Sequence, residues 1–363
     1  MVQRASIQAS SSLIIDDVSR FVFVPSSEQS VVTVVDGGSN EVVGALAIGC
    51  SPQQVIISRP EAKLIATDGR STWFVTLDLP GRRMERINLP HRAERLTLGA
   101  NGWLLAVADL AGGKISLFDL RRGSLLRTID GLPPLRDMLF VDQDGYLFVA
   151  AKDWTGVAVF DVNTAVLTQW IQPFRSAARS QIVAMARTPN GRTVVVRFEG
   201  GYPPGIIDVQ SRQTIAELGR IAATDGVVSS GTGAYFFVPD NATSTLNVFR
   251  GDQPASATML PASTGMGAVY SAWLDSVAFV ASVPRRQLLI YDLDRLRPEG
   301  TLDLAGVPRQ GGVSADSTKV YVPLNDPPAL AIVDGQSRRV VATVPMPATP
   351  LAAIVPGGWG LCH

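Results

Sequence analysis

Residues 31–36 read VVTVVD, an apolar run closed by an aspartate, and the same pattern recurs along the whole chain. It returns as WFVTLD at 73–78, KISLFD at 114–119, GVAVFD at 156–161, GIID at 205–208, LLIYD at 288–292 and LAIVD at 330–334. LNVFR at 246–250 fills the remaining slot, with Arg250 in place of the acid. The closing residues lie 42, 41, 42, 47, 42, 42 and 42 positions apart. Eight copies at so steady a spacing mark a repeat protein, and about 40–45 residues is the length of one four-stranded propeller blade.

Each copy divides further. An earlier strand precedes the aspartate strand, as in RFVFV at 20–24, KLIAT at 63–67 and KVYVP at 319–323. A turn and a first strand come before that (LTLGANGW at 96–103), and a fourth strand follows the aspartate (LLRTIDG at 125–131). These runs are rich in Val, Ile, Phe and Tyr and are bounded by Gly, Pro, Asn and Asp, which is the chemistry of antiparallel hairpins. No segment carries a 3.6-residue apolar period, so helix is expected to be nearly absent. The fold predicted is all-β: one domain spanning 1–363, an eight-bladed β-propeller of four-stranded antiparallel blades, with strands A to D counted in chain order within each blade.

Composition removes several function classes. The 363 residues carry 32 Lys plus Arg against 32 Asp plus Glu, so no global charge draws the protein onto nucleic acid or anionic lipid. Two cysteines, Cys50 and Cys362, are too few for a disulfide scaffold or a Cys-rich zinc module. Two histidines, His91 and His363, exclude a multi-histidine metal centre. No apolar run approaches 18 residues, so no membrane span is expected. The opening MVQRASIQASSS lacks the apolar core of an intact signal peptide. That leaves a cytoplasmic protein, or a periplasmic or secreted one whose leader lies outside this sequence.

The best-formed repeats, VTVVDGGSNEVVGALAIGCSP at 32–52 and KVYVPLNDPPALAIVDGQSRRVVATVPMP at 319–347, resemble blades of the YVTN-type repeat propellers. The resemblance extends over essentially the whole chain. It implies a place in the broad group that includes lactonase-like proteins, quinoprotein amine dehydrogenase heavy chains and the eight-bladed haem-binding propeller of cytochrome-type nitrite reductases. It specifies a fold and not a reaction.

Two segments compete to be the innermost strand of blade one. Ser12–Asp16 (SLIID) is favoured, because its turn leads directly into its own B strand; Leu351–Val355 (LAAIV) is the rival. If the rival holds, it starts at the face of the D–A connections and carries the chain ~17–20 Å to the opposite side. Cys362 would then be out of reach of Cys50. Two free thiols are expected with either closure.

In a propeller the D–A connections and B–C loops share the face where ligands bind. Here the D–A connections hold Arg92, Arg95, Arg136, Arg175, Arg179, Arg220 and Arg309 against Glu94, Asp137 and Asp225. Such a mouth suits the forked hydrogen bonding of carboxylate or phosphate. The alternative is that these arginines pair with the nearby acids and bridge blades. The recurrent aspartates are read as structural, because each ends a strand where turn amides need an acceptor, and they do not converge.

Enzyme signatures are sparse: there is no G-x-S-x-G and no H-E-x-x-H. His91, beside Arg92, is a candidate acid or base, although a solvated loop histidine is the plainer reading. Cys362–His363 groups a thiol with an imidazole but is not taken as a metal site. The six tryptophans lack a per-blade recurrence, which argues against a quinone cofactor. The leading expectation is a scaffold that binds an anionic small molecule or a partner protein through Arg92, Arg95, Arg136, Arg175, Arg179 and Arg309. The rival is a lactonase, lyase or isomerase using His91. A further alternative is binding or maturation of a haem-like tetrapyrrole, for which His91 is the sole internal axial candidate.

Overall fold

Each repeat folds as an antiparallel meander. In the third, Arg95–Leu98, Leu104–Asp109, Lys114–Asp119 and Ser124–Ile129 pair in chain order as strands A to D. Eight such sheets form an eight-bladed β-propeller. The computed structural model describes residues 3–4, 13–26, 28–172, 180–218 and 226–359. Among these, helix is confined to one 3-10 turn, Val18–Arg20. Blade two gains a fifth strand, because Gln3–Arg4 pairs with the outer edge of Met84–Asn88. In blade eight the innermost strand is split into Val307–Pro308 and Gly312–Val313, both paired with Lys319–Asn325.

The packing explains why the B and C strands read as almost unbroken apolar runs. Successive side chains of a strand point to opposite faces, and here both faces are covered by other blades. In Thr193–Phe198, Val194, Val196 and Phe198 pack into blade four beside Leu139, Val141 and Phe148. Val195, pointing the other way, meets Phe236 and Val238 of blade six. The D strands have a solvent-facing edge and are accordingly mixed: Ser124–Ile129 alternates between exposed and half-buried residues before ending on buried Ile129.

The contacts group into two compact units. One comprises Met1–Leu96, Gly267–Asp294 and Pro298–Leu361, and the other chiefly Thr97–Met266. Within each, neighbouring blades are tied by side chains that bond the next backbone. In the first unit Gln54 gives Nε2 to the Leu96 carbonyl and takes the Leu96 amide, both at 2.8 Å. Tyr270 donates its hydroxyl to the Arg309 carbonyl and accepts the Gly311 amide. In the second unit the Met185 amide donates to the Asp137 carboxylate at 2.6 Å. Asp137, counted among the anions of the D–A connections, is therefore an inter-blade tie.

Blade one is completed by the C-terminal segment, contrary to the favoured expectation. Phe23 and Ile354 exchange both backbone hydrogen bonds at 2.9 Å, Pro350 bridges to Ser26, and the Leu351 amide donates to the Pro25 carbonyl. Leu-Ala-Ala-Ile-Val is small and apolar, as an innermost strand requires. The N-terminal rival carries Asp16 and Asp17, and Asp17 instead caps the 3-10 turn by accepting the Ser19 amide. Leu13 sits against Gly44 of the outer strand Glu41–Ala47. Ser12 lies outside the described residues.

After Val355 the chain turns, and the Trp359 indole donates to Asp275 Oδ1 at 2.8 Å in the A–B turn of blade seven. The closing segment thus starts at the D–A edge of its blades and leaves at the opposite one. Arg175, Arg179, Arg220, Asp225, Cys362 and His363 lie outside the described residues, as does most of the insertion at 174–181.

Candidate functional site

The recurrent aspartates serve their own turns. Asp36 accepts the amides of Gly38 and Ser39 at 2.7 and 3.0 Å, and Asp161, Asp208 and Asp334 accept those of Thr164, Ser211 and Ser337. These donors favour the carboxylate and hold all four groups below the usual range. For Asp334 the hydroxyl and amide of Ser337 lead, for Asp161 and Asp208 a turn amide leads, and for Asp36 the donors and Arg20 outweigh the opposing effect of burial. Chemistry must be sought elsewhere.

On the D–A side of blades one and two a cleft of about 720 Å³ opens between two loops. One wall is the connection Gly49–Gln53; the other is Asp68, Arg70 and Trp73 from the B–C loop of blade two; Leu351 of the closing segment completes it. The loops are in close contact. Gly69 has a φ of +71°, and a Cβ there would run into the Gln53 side chain, so glycine is required on both counts. Asp68 accepts the amides of Arg70 and Ser71 and the Ser71 hydroxyl, so its charge is spent within its own loop. Burial works to raise its carboxyl, but these donors, helped by the nearby Arg70 charge, prevail and keep it low. Arg70 is exposed, and among the described residues no carboxylate lies within ion-pairing distance of it. The Trp73 ring is held in place by the Arg86 guanidinium, 4.0 Å from its centroid, and by the blade core.

Cys50 is a free, buried thiol. Burial and then the nearby Asp68 charge push its pKa up to about 11, so at neutral pH it is a small apolar group and not a nucleophile.

The connection after blade two is strapped to the same loop. The amides of Leu89 and Ala93 donate to the carbonyls of Thr72 and Ser71, and the Thr67 hydroxyl donates to the Ala93 carbonyl at 2.5 Å. This strapping buries His91 to 4% exposure, with Nδ1 2.8 Å from the Arg92 carbonyl. The expected solvated histidine is thus a buried one, because the connection packs down on Thr67–Thr72. Arg92 points outward, 61% exposed, in a loose 3.9 Å pair with Glu94. Arg95 is half-buried at the start of blade three and is engaged there. Arg309 is exposed beside the split strand of blade eight, its Nε and Nη2 at 2.8 and 3.0 Å from the Asn325 side-chain oxygen when that amide faces it. In the second unit, Arg136 is exposed at the head of Leu135–Val141. The cleft lining includes none of these four arginines.

Arg70 and Trp73 stand outside the D–A connections, so a reading of cations along those connections does not reach them. The B–C loops open on the same face, and DGRSTW at 68–73 carries both a cation and an aromatic. No group of three or more His, Cys, Asp and Glu side chains suited to a metal exists among the described residues.

Solved structures repeat this architecture at low identity. A dihydro-heme d1 dehydrogenase, NirN, in complex with DHE superposes with a TM-score of 0.79 at 15% identity, covering 98% of this chain and 80% of that one. The likeness is one of fold. AztD from Citrobacter koseri, in its apo form, gives a TM-score of 0.69 at 13% identity over 94% of this propeller and 98% of its own chain. Kuenenia stuttgartiensis hydrazine synthase gives 0.55 at 14% identity, covering 78% of the propeller and 95% of that chain. No family model matches the chain, and no curated protein matches it in sequence.

Proposed function

We propose that this propeller is a binding scaffold for an anionic small molecule, received on the D–A face at the cleft between Gly49–Gln53 and the Asp68–Trp73 loop. The observation that carries the reading is Arg70: an exposed guanidinium at a cleft whose one acid, Asp68, is already saturated by its own loop. Among the described residues this guanidinium makes no hydrogen bond and feels Asp68 only through its charge, so its forked donors are open to a carboxylate or phosphate oxygen. Arg92 and Arg95 extend the cationic margin along the strapped connection, and Arg136, Arg175, Arg179 and Arg309 supply the same chemistry on other connections. A binding role also suits a cleft whose one thiol is neutral.

Calorimetric titration with a panel of small carboxylates and phosphates tests this. Saturable binding is expected, weakened roughly tenfold or more in Arg70→Gln, as loss of a charged hydrogen bond implies. No binding by any anion, or binding indifferent to Arg70, would remove the proposal.

The likeness to a propeller solved with DHE supports a second reading, a tetrapyrrole held through its carboxylates. Exposed arginines fit those carboxylates. An axial bond does not fit, because His91, the one imidazole among the described residues, is buried with Nδ1 against the Arg92 carbonyl. Titration with a haem-type porphyrin should therefore give no spectrum of histidine ligation. Such a spectrum, lost in His91→Ala, would contradict that fit.

A further inference from the structure

We propose that the cleft of blades one and two selects a monocarboxylate carrying a flat apolar body. The inference rests on the anion-binding reading above and narrows it to a ligand class. It follows from what the walls offer besides Arg70.

The charges come first. Arg70 is cationic, and Asp68, internally bonded, remains an anion at neutral pH. Cys50 adds none, because its thiol stays protonated. The lining therefore sums to zero, and a ligand with two or three negative charges would meet the Asp68 carboxylate after satisfying Arg70. One negative charge fits that balance.

The remaining surface is mostly apolar, with Ser51 and Gln53 as its polar side chains. Trp73, buried Pro52, buried Cys50 and Leu351 face the space that a carboxylate on Arg70 would leave to the rest of the ligand. A cleft of about 720 Å³ is of the size that houses small organic ligands. These walls are fixed before any ligand arrives. Arg86 and the core hold the indole, and the Leu351 amide is bonded to the Pro25 carbonyl at 2.8 Å. Preformed walls cost little ordering entropy on binding, and a rigid flat ring loses less of its own freedom there than a flexible chain.

The test compares 2-naphthoate, 2-naphthamide, hexanoate and inorganic phosphate by calorimetry on the full chain. Substitutions at the lining positions Arg70 and Ser51, read by the same calorimetry, locate the binding. Naphthoate is expected to bind at least tenfold more tightly than the other three. Arg70→Gln should weaken naphthoate roughly 10- to 100-fold, leaving it no better than the amide. Ser51→Trp, at an exposed lining position, should block binding without touching the core. Should hexanoate or phosphate match naphthoate while all depend on Arg70, the ligand class is wrong and the anion-binding reading stands. Should naphthoate binding survive both substitutions, the cleft is not its site. If none of the anions binds, both ideas fall together.

Discussion

Blades eight and six turn from their third strand to their fourth in different ways. In blade eight, Asp334 pairs with Arg339 across four intervening residues. The loop so formed has an inward-facing amide, Ser337 N, which the Asp334 carboxylate accepts at 2.6 Å. In blade six, Arg250 pairs with Gln253 across two residues only, Gly251 and Asp252. Such a turn is too short to enclose an amide that needs an acceptor, and the strand ends in arginine. Blade six instead places its acid one loop earlier, where Asp240 accepts the amides of Ala242 and Thr243. The aspartate that defines the repeat is thus a mark of turn length, which is why its one exception needs no functional explanation.

If that difference is real, the longer turns should be acid-labile and the short one should not. The largest effect is expected from pH. Asp36, Asp161, Asp208 and Asp334 all have carboxyls depressed in the folded chain. Each therefore contributes stability that is present above the unfolded carboxyl value, near 3.8, and lost as pH falls through the folded value. Urea midpoints measured from pH 6 downward should hold until about pH 4 and then drop together. A midpoint flat to pH 2 would contradict the capping account.

Next comes Asp36→Ala. This carboxylate is 3% exposed and takes Arg20 Nη2 at 2.5 Å in addition to two amides. Because Arg20 is largely exposed and can return to water, a loss of about 2–4 kcal/mol by chemical denaturation is expected, not the larger cost of stranding a buried charge. Asp208→Ala removes the acceptor for the amide and hydroxyl of Ser211 at a more open turn and should cost about 1 kcal/mol. The smallest effect sharpens the contrast. Arg250→Asp restores the repeat's residue in a turn with nothing to cap and should change stability by less than about 0.5 kcal/mol. A clear gain would mean that the short turn does hold an unmet amide.

The fold was legible because its signal is repeated eight times, so one degenerate copy such as LNVFR is located by its neighbours. Closure was less so. Ser12–Asp16 and Leu351–Val355 are both short apolar runs, and pairing across the length of the chain leaves no local trace in either. What decides between them is the acid pair at Asp16 and Asp17, which suits a capped turn better than an innermost strand. Nor could the split inner strand of blade eight be read: it depends on Tyr270 reaching from blade seven to Arg309 and Gly311. The site was half legible. The face proposed to receive a ligand followed from propeller geometry, but PHRAER at 90–95 reads as a solvated string. Only the bonds from Thr67, Ser71 and Thr72 bury its histidine.

The pairing of Phe23 with Ile354 also sets a timetable for synthesis. The two residues are 331 positions apart, 354 minus 23. At the ribosome's pace of roughly 5–20 residues per second, the strand Phe21–Pro25 emerges on the order of 20–60 s before its inner partner exists. Throughout that interval a nascent strand of Phe, Val and Pro presents an open edge, the kind of surface on which chains pair wrongly with one another. Chaperone capture, if this protein needs it, should therefore concentrate on the first blade and end when residues 350–355 are released.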